Sequence, residues 1–375
     1  MDQNVTNPGG SELPKTEPVE SERQGSVFGQ MKEKAFHKGK AGNHMASIRD
    51  VARLAGVSPS TVSRVMNGTA NVNDEKVKRV QQAIEETGFR PNELARMLYR
   101  KSSNIIGVIV PNIENPFFSE IARSIEEESY KHGYRILLCS SNDDTEKEQI
   151  NIQMLVRMKA DGIILMTNST TEDYANIIVD VPVVVVDRRV VMGNEVAYIQ
   201  ADHYEGGRLA LKHLVECGCR NIVCMRGPLE LTSGRDRYRG YEAAAKENDI
   251  RIQVVDAGYS FKDGDGATEN LLRDYPDVDG IIAPNDMVAL AVYKNLFRRG
   301  IRVPEDVQLI GFDDIPLAEL LTPELTTIEQ PIRTMGRMAV EIIVKNSAGE
   351  PFEKDNILPV KLVRRETTGC LSEMK

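Results

Sequence analysis

The hydrophobic pattern of the chain changes near residue 105. Between residues 47 and 101, apolar side chains recur at three- and four-residue intervals, which is typical of short amphipathic helices. From Ile105 onward, apolar runs of four to seven residues alternate with amphipathic stretches of helical length. This alternation predicts βαβ units whose strands are buried on both faces of parallel sheets. It continues for about 270 residues, which favours two doubly wound lobes over a single sheet.

Seven apolar runs mark the predicted strands, and one of them ends abruptly in charges. The runs are IIGVIV, RILLC, GIILM, VVVVD, NIVCM, GIIAP and QLIGF. Within VPVVVVDRRV, four valines pass directly into Asp187, Arg188 and Arg189. Ligands of open α/β sheets bind beyond the carboxyl ends of strands. These charges are therefore either a solvated turn or part of a binding site.

Short helices are predicted at the start of the organised sequence. The first begins at Ser47, with Asp50 three residues on, and ends near Gly56. In the second, Ser58 is the expected N-cap and Pro59 occupies the first helical position. A third helix follows in NDEKVKRVQQAIEETGF, and a fourth short one in ELARMLYRK. Two short helices joined by a glycine-containing turn and followed by a packing helix indicate a helix-turn-helix, although a generic three-helix bundle has the same pattern.

Charge is unevenly distributed along the chain, whose formal net charge is −9. Residues 1–45 balance six basic against six acidic side chains. Residues 46–101 contain ten Lys/Arg and six Asp/Glu, a net +4, which leaves −13 for the rest. A small basic block on a large acidic body is expected when one domain meets a polyanion and the other does not. Residues 1–45 are rich in Pro, Gly, Ser, Glu and Lys without periodicity, so we expect them to be disordered.

Composition narrows the class of protein. The chain is 41% hydrophobic and 27% charged, which is typical of soluble globular proteins. It has no apolar run long enough for a transmembrane helix, and its first 30 residues lack the apolar core of a signal peptide. A cytoplasmic location is expected, with Met1, Met31 or Met45 as the start.

Neither metal nor catalytic chemistry is indicated. The five cysteines include a C-x-C pair, Cys217 and Cys219, whose spacing does not fit a zinc clip, so reduced thiols are expected. The five histidines are scattered. No G-x-G-x-x-G follows a predicted strand and no P-loop is present, which disfavours an α/β enzyme. No cofactor is expected.

The order of motifs resembles one family of regulators. VARLAGVSPSTVSRVMNG, then FRPNELARML, then a body beginning IIGVIVPNIENPFF closely resemble the lactose-repressor (LacI/GalR) family over residues 47–368. The resemblance implies a disordered extension (1–45), a helix-turn-helix domain (46–90), a hinge helix (91–103) and an effector-binding and dimerisation domain (104–375). Within that domain it implies a first lobe of about 104–201 and 331–350, and a second of about 202–330 and 351–375.

In this family the second helix lies in the major groove of DNA. The resemblance makes the following head residues candidates for DNA contact: Ser58, Pro59, Ser60, Thr61, Ser63 and Arg64. Arg64 is suited to bidentate bonding with the O6/N7 edge of guanine. Pro59 has no donor, so readout there would be apolar or absent. The hydroxyls suit phosphate oxygens, with helix capping as the alternative for Ser58.

The segment RPNELARMLYRK resembles the family's hinge helix, which is ordered only on DNA. Paired hinges enter the minor groove and wedge a leucine between base steps, a position that Leu98 occupies. Asn92 is a further candidate for DNA contact, and Leu94 and Ala95 would pack across the twofold axis. A wedge of this kind implies a palindromic operator with a C·G step at its centre.

The body resembles the type I periplasmic sugar-binding fold. Sugar hydroxyls bind carboxylates, guanidinium groups and amides, whereas the C–H faces of the ring pack on aromatic side chains. Residues that match ligand-contacting positions of ribose-binding proteins are Asn115, Phe117, Phe118, Asp187, Arg188, Arg237, Tyr259, Asn285, Asp313 and Gln330. Arg189, next to Arg188, is left unassigned and is expected either to bind a phosphate or to point away.

The effector is expected to be ribose, a close pentose or a pentose phosphate. RGPLELTSGRDRYRGYE, IPLAELLTPELTTIEQP and VRRETT look most like ribose-operon repressors, and the hydrophilic candidates suit a sugar better than a purine. Three alternatives stay open: a catabolite-control regulator with a phosphorylated carrier-protein corepressor, a sugar transport protein, and an effector that acts as corepressor instead of inducer. Because no C-terminal leucine heptad is present, a homodimer is expected rather than a tetramer.

Overall fold

The computed structural model of the chain defines residues 46–67, 72–89, 102–167, 174, 181–189 and 196–369. The chain forms two compact units, Met1–Asn92 and Glu93–Lys375. The N-terminal extension expected to be disordered (1–45) and most of the expected hinge helix (91–103) lie outside the described residues.

The first unit is a small helical domain built around an apolar centre. Its described helices are α1 (Ile48–Ala55), α2 (Pro59–Asn67) and α3 (Asp74–Thr87). Val51, Val62 and Val80, one from each helix, are fully buried against one another. The Asp50 carboxylate accepts hydrogen bonds from the backbone N–H of Ser47 at 3.0 Å and from its hydroxyl at 2.7 Å, which fixes the start of α1. The predicted helix-turn-helix is thus formed by the expected segments.

The second unit contains two six-stranded sheets, one in each lobe. The first sheet consists of β1 (Ile105–Val110), β2 (Arg135–Ser140), β3 (Gly162–Leu165), β4 (Val183–Val186), β5 (Val196–Ala201) and β11 (Asp355–Leu358). The second consists of β6 (Ile222–Arg226), β7 (Gln253–Asp256), β8 (Gly280–Ile282), β9 (Gln308–Asp313), β10 (Thr326–Glu329) and β12 (Lys361–Val363). The strand orders are β11-β5-β4-β3-β1-β2 and β12-β10-β9-β8-β6-β7. All pairs are parallel except β12 with β10.

Helices cover both faces of each sheet. The first lobe has α4 (Pro116–Lys131), α5 (Thr145–Arg157) and α10 (Ile332–Ala348); the second has α6 (His203–Glu216), α7 (Thr232–Glu247), α8 (Phe261–Asp274) and α9 (Asp286–Arg298). Successive residues of one strand face different layers: Val108 packs in the core shared by α4 and α10, whereas Ile109 packs with Leu155 of α5. Burial on both faces explains why central strands such as β1 appear in the sequence as unbroken apolar runs. The prediction of two doubly wound lobes is confirmed.

The boundary expected at residue 351 differs from the structure. Strand β11 pairs in parallel with β5, from Asp355 opposite Tyr198 to Leu358 opposite Ala201, so it belongs to the first sheet and not to the second lobe. The chain crosses to the second sheet only between Leu358 and Lys361. The sequence did not reveal this strand because β11 is an edge strand with exposed and half-buried residues, without an apolar run.

Three further properties concern the described residues alone. No helix there is both long enough and apolar enough to span a membrane. Among the cysteines that the structure describes, Cys139, Cys217, Cys219 and Cys224 form no disulfide, and the last three are buried. No group of three or more His, Cys, Asp or Glu side chains within the described ranges is arranged to hold a metal ion.

Candidate ligand cleft and DNA-binding surface

A cavity of about 600 Å³ lies between the two lobes, at the carboxyl ends of their strands. Nine of the ten predicted ligand-contacting residues line it: Asn115, Phe117, Phe118, Asp187, Arg188, Arg237, Tyr259, Asn285 and Asp313. The tenth, Gln330, does not line the cavity, but its side-chain N–H donates to Asp313 Oδ1 at 2.7 Å. The positions that looked unrelated in sequence therefore meet in one cleft, as expected for open α/β sheets.

Asp187 and Arg188 form a buried ion pair at the end of β4. Arg188 Nε lies 3.2 Å from Asp187 Oδ2, and both side chains are less than 10% exposed. Burial raises the pKa of the Asp187 carboxyl, and the charges of Arg188 and Arg237 offset part of that effect. Asp187 Oδ1 accepts no hydrogen bond from the described residues. A buried oxygen of this kind is a ready acceptor for a ligand hydroxyl.

Arg188 is held from behind by a second buried carboxylate. Its Nη1 donates to the carbonyl of Thr167 at 3.4 Å, and the hydroxyl of Thr167 donates to Glu148 at 2.6 Å. Glu148 also accepts from the phenol of Tyr174. Burial raises the pKa of Glu148, opposed mainly by these two hydroxyl donors. The network fixes where the Arg188 guanidinium enters the cleft.

A second carboxylate–guanidinium pair lies in the other lobe, at the end of β9. Arg237 Nη2 on α7 lies 3.4 Å from Asp313 Oδ1, the oxygen that also accepts from Gln330. Burial raises the pKa of Asp313 to about 7, while the Arg237 cation acts in the opposite direction. Arg237 also donates to the carbonyl of Pro284, and its Cζ lies 3.6 Å from the centre of the Phe312 ring. These contacts leave the side chain little freedom.

Close helix packing brings Arg237 to the cleft. A Cβ on Gly207 of α6 would overlap the carbonyl oxygen of Arg237, and a Cβ on Gly240 of α7 would overlap that of Tyr204. The two glycines therefore allow the backbones of α6 and α7 to approach more closely than other residues would permit. This approach places Arg237 of α7 and the first turn of α6 beside Phe312 at the end of β9.

Aromatic rings and helix caps complete the lining. Arg188 Cζ lies 5.9 Å from the ring centre of Phe118 and 5.5 Å from that of Tyr259. Phe117 and Phe118 are themselves largely buried in the core of the first lobe. Asn115 and Asn285 are helix N-caps: their side-chain oxygens accept from the backbone N–H of Phe117 and Val288. Their role as caps therefore holds whether or not they also contact a ligand.

Arg189 points away from the cavity. Its guanidinium pairs with Asp355 of β11 and lies 5.0 Å from the ring centre of Tyr198. Its backbone N–H donates across the cleft to the hydroxyl of Thr232, at 3.2 Å, at the start of α7. Of the two expectations for Arg189, the structure therefore matches the outward orientation.

Several residues of the cleft were not predicted. Ser233 lines the cavity and its hydroxyl lies 3.3 Å from that of Tyr259. The lining also includes polar residues of loops and of the start of α8, namely Asn112, Glu114, Asp143, Ser260, Lys262 and Asp263. Behind the lining, His203 contacts both Asp187 and Arg237. Polar residues in loops are common in any sequence, and a single histidine at the start of a helix is equally inconspicuous.

The head presents a polar surface at the start of α2. Val62 is buried, whereas Ser58, Pro59, Ser60 and Arg64 are exposed. Thr61 and Ser63 are half-buried. The Ser58 hydroxyl accepts from the backbone N–H of Thr61 at 3.2 Å, as expected of an N-cap. The hinge candidates Asn92, Leu94, Ala95 and Leu98 lie outside the described residues.

A helix-turn-helix head on a two-lobed body with a ligand cleft defines a ligand-responsive DNA-binding regulator. Residues 47–92 match the family model for bacterial regulatory proteins of the lacI family, and residues 211–368 match the model for the periplasmic binding protein-like domain. The ribose operon repressors of Halalkalibacterium halodurans and Bacillus subtilis are 39% and 38% identical to the chain. Each covers 86% of it and at least 97% of its own length. The transcriptional repressor PurR of Haemophilus influenzae is 34% identical and covers 87%.

Solved structures agree with these sequence relatives. A LacI transcriptional regulator from Alkaliphilus metalliredigens, complexed with D-xylulofuranose, is 39% identical with a TM-score of 0.65, covering 71% of this chain and 99% of its own. The lac repressor dimer bound to operator and the anti-inducer ONPF is 27% identical with a TM-score of 0.77, covering 87% and 99%. The chain belongs to the lacI family of bacterial regulatory proteins, which confirms the resemblance in the sequence.

Proposed function

We propose that the chain represses a ribose utilisation operon and that a pentose bound between its lobes controls its affinity for a palindromic operator. The named relatives at 38–39% identity are ribose operon repressors, and a solved relative at 39% identity holds a five-carbon sugar. Each of these three matches covers nearly all of the relative's own length. We therefore propose a five-carbon sugar as the effector of this cleft.

The observation that carries the proposal is the chemistry of the cavity. Two buried carboxylate–guanidinium pairs, Asp187 with Arg188 and Asp313 with Arg237, face it from opposite lobes. Each pair offers donors and acceptors to neighbouring hydroxyls, and the ring of Tyr259 offers an apolar face. A ligand that bridges the two pairs must carry hydroxyls on both sides, as a pentose does.

The charge balance favours a neutral sugar over a phosphorylated one. Arg188 and Arg237 are each paired with an aspartate, so neither cation is free for a phosphate. Lys262 at the rim is accompanied by the carboxylates of Glu114, Asp143 and Asp263. A phosphate would therefore enter a cleft without excess positive charge, which costs binding energy.

On DNA, we propose that Arg64 reads a guanine and that two subunits bind the two halves of the operator. Arg64 is exposed on α2, where a cation can reach a base edge. For the homodimer, the second lobe carries an apolar patch, defined as Tyr293, Phe297 and Leu320. Phe297 and Leu320 are 72% and 76% exposed. Such a patch suits burial against a second copy of the chain.

Control would operate by a population shift between two arrangements of the lobes. A pentose that contacts both lobes favours the closed arrangement. In the proposed mechanism, closure separates the paired hinge segments, lowers operator affinity and makes the sugar an inducer. Induction by the sugar suits a repressor of genes whose products consume that sugar.

The test is an electrophoretic mobility shift on a palindromic operator together with calorimetric titration. The titrants are D-ribose, D-xylulose, D-ribose 5-phosphate, a purine base and a phosphorylated carrier protein. The proposal expects heat and release of DNA with a neutral pentose. Tightening of the DNA complex by ribose would reverse the proposed sign. Binding of only the purine or only the phosphoprotein would overturn the proposed effector.

A further inference from the structure

His203 is placed at the boundary between the lobes. It is the first residue of α6, directly after the chain leaves β5 of the first sheet for the second lobe. The backbone N–H of Asp202 donates to the carbonyl of Leu358 at 2.8 Å, which ties two of the crossing segments together. The imidazole is 3% exposed and lies 6.0 Å, centre to centre, from the Phe312 ring. His203 is therefore buried at the point where the chain crosses from one lobe to the other.

The imidazole contacts one cleft residue from each lobe. Arg237 Nε donates to His203 Nδ1 at 3.3 Å, and His203 Nε2 lies 3.3 Å from the backbone carbonyl of Asp187. A guanidinium nitrogen carries hydrogens at every accessible pH, so Nδ1 must be the acceptor. The proton then resides on Nε2 and is donated to the Asp187 carbonyl. Burial, followed by the positive charge of Arg237, lowers the pKa of His203 well below 6.5, in keeping with this neutral form.

We infer that His203 is a positioning residue of the cleft, which holds Arg237 in the orientation that a bound pentose requires and ties it to the Asp187 backbone of the other lobe. This inference rests on the proposed function, because it concerns the same cleft. The Nε bond to His203 and the bond to Pro284 leave the Arg237 Nη2 edge directed at Asp313 and the cavity. Without the acceptor, the buried Nε–H of Arg237 loses its partner, and the guanidinium is oriented only by Pro284, Asp313 and the Phe312 ring.

Three substitutions distinguish the contributions of the two hydrogen bonds that the imidazole makes. In His203→Asn the amide oxygen takes the place of Nδ1 and can accept from Arg237. In His203→Gln the amide reaches the place of Nε2 and can donate to Asp187, without accepting from Arg237. His203→Leu keeps the bulk and makes neither bond. Since a hydrogen bond to a charged group is the stronger of the two, we expect His203→Leu and His203→Gln to lower D-ribose affinity on the order of tenfold to a hundredfold. His203→Asn should stay close to wild type.

The control is His213→Asn. His213 lies on the same helix, is equally buried at 3% exposure, and contacts Thr368 instead of the cleft. Calorimetric titration with D-ribose and thermal melting are measured for all four variants. Equal affinity losses in the Asn, Gln and Leu variants, or a Leu variant that binds like wild type, would overturn the inference. So would rescue by Gln and not by Asn.

A second measurement does not depend on the ligand. Long-range ¹H–¹⁵N spectra of the sugar-free protein report the protonation of each of its five histidines. The His203 signals are those that disappear in His203→Asn. We expect a neutral imidazole protonated at Nε2 across about pH 6 to 8; an Nδ1–H tautomer or an imidazolium would overturn the inference. If wild type gives no heat with ribose, the proposed function fails, and these spectra still decide whether His203 Nδ1 accepts from Arg237.

Discussion

Asp187 and Asp313 occupy equivalent places in the two lobes. Asp187 lies at the carboxyl end of β4 and Asp313 at that of β9, and each of these strands is the third in the spatial order of its sheet. Both aspartates have a left-handed backbone, with φ of 74° and 118°. Each also pairs with an arginine that faces the cleft. Left-handed backbone at a non-glycine residue costs of order 1–3 kcal/mol and concentrates at functional sites. The repetition indicates that both carboxylates are held in place for one shared ligand.

Asp187→Asn should abolish the response to ribose while leaving operator binding intact. Asparagine tolerates the left-handed backbone but removes the charge that accepts from a sugar hydroxyl. Ribose affinity should fall by about 1.5–3 kcal/mol, measured by calorimetry, with a mobility shift for the operator. The control is Asp355→Asn, an exposed aspartate that pairs with Arg189 outside the cavity. Loss of DNA binding in Asp187→Asn would mean that the residue is structural.

Asp313 should make the ligand-free protein less stable as pH rises. Its pKa is raised from 3.8 to about 7, so folding favours the protonated acid. The stabilisation from that proton is fully present below about 3.8 and is lost as pH rises through about 7. The melting temperature should therefore fall between about pH 5 and pH 8, and fall less in Asp313→Asn. Buried Asp187, Asp286 and Glu148 also have raised pKa values, so part of the slope should remain. The lowered pKa of His203 acts in the opposite direction below about pH 6.5.

The exposed aspartate Asp306 provides the contrast. Its pKa is lowered to about 2, first by the hydrogen bond from Arg302, so it stays ionised throughout this pH window. Asp306→Asn should keep the wild-type slope of melting temperature against pH. An unchanged slope in Asp313→Asn would contradict the assignment of this titration to Asp313.

Most of the strands that the sequence predicted are covered on both faces, but β2 (Arg135–Ser140) was predicted although it is an edge strand without a buried residue. All four β4 residues, Val183–Val186, are buried, so the strand appears as an unbroken valine run. Strand β5 alternates buried and half-buried residues and β11 is half-exposed, so neither forms an apolar run. Burial therefore explains the apolar runs of the central strands. The edge strand β2 was found from its apolar sequence alone, and the buried strand β10 was missed because its sequence, TTIE, is polar.

The cleft was predictable for the same topological reason. Polar residues after parallel strands gather at one edge of a sheet, which is why Asp187, Asn285 and Asp313 meet. The buried residues that hold the cleft side chains in place were not predictable. His203 depends on the crossing of the lobes and on the close approach of α6 and α7, which two glycines allow. Glu148 supports Arg188 from a helix whose sequence position shows no relation to the cleft.

Gly240→Ala should weaken ribose binding without touching the ligand. The new methyl group would overlap the carbonyl of Tyr204, push α7 from α6 and displace Arg237. We expect a loss of about 1–3 kcal/mol in unfolding free energy by urea denaturation, with a parallel loss of ribose affinity. At Gly266 in α8, no atom from another part of the chain lies within 4 Å of where a Cβ would be. Gly266→Ala should therefore raise the unfolding free energy by about 0.5–1 kcal/mol. Similar behaviour of the two variants would contradict the packing argument.

Arg64→Ala should relax base specificity at one operator position. A bidentate contact to guanine is worth about 1–3 kcal/mol, so discrimination among operators changed at that base pair should fall by that amount. Lys78→Ala on α3 removes an exposed cation of the same head and serves as the control. It should change affinity uniformly across operators, if at all. A uniform loss in Arg64→Ala would show that Arg64 contacts only phosphate.

Phe297→Glu should dissociate the proposed homodimer. The Phe297 ring stacks on Tyr293, with centres 6.4 Å apart, and the Tyr293 phenol donates to the carbonyl of Thr322 beside the Leu320 turn. A buried charge in the middle of this patch would lack a partner across the interface. Sedimentation at micromolar concentration should then show monomers, and operator affinity should drop because each subunit contacts only one half-site. Ile357→Glu, at an apolar residue that is 65% exposed in the first lobe, should leave the dimer intact. If Phe297→Glu remains a dimer with wild-type operator affinity, the subunits associate through another surface and the exposed patch has a different purpose.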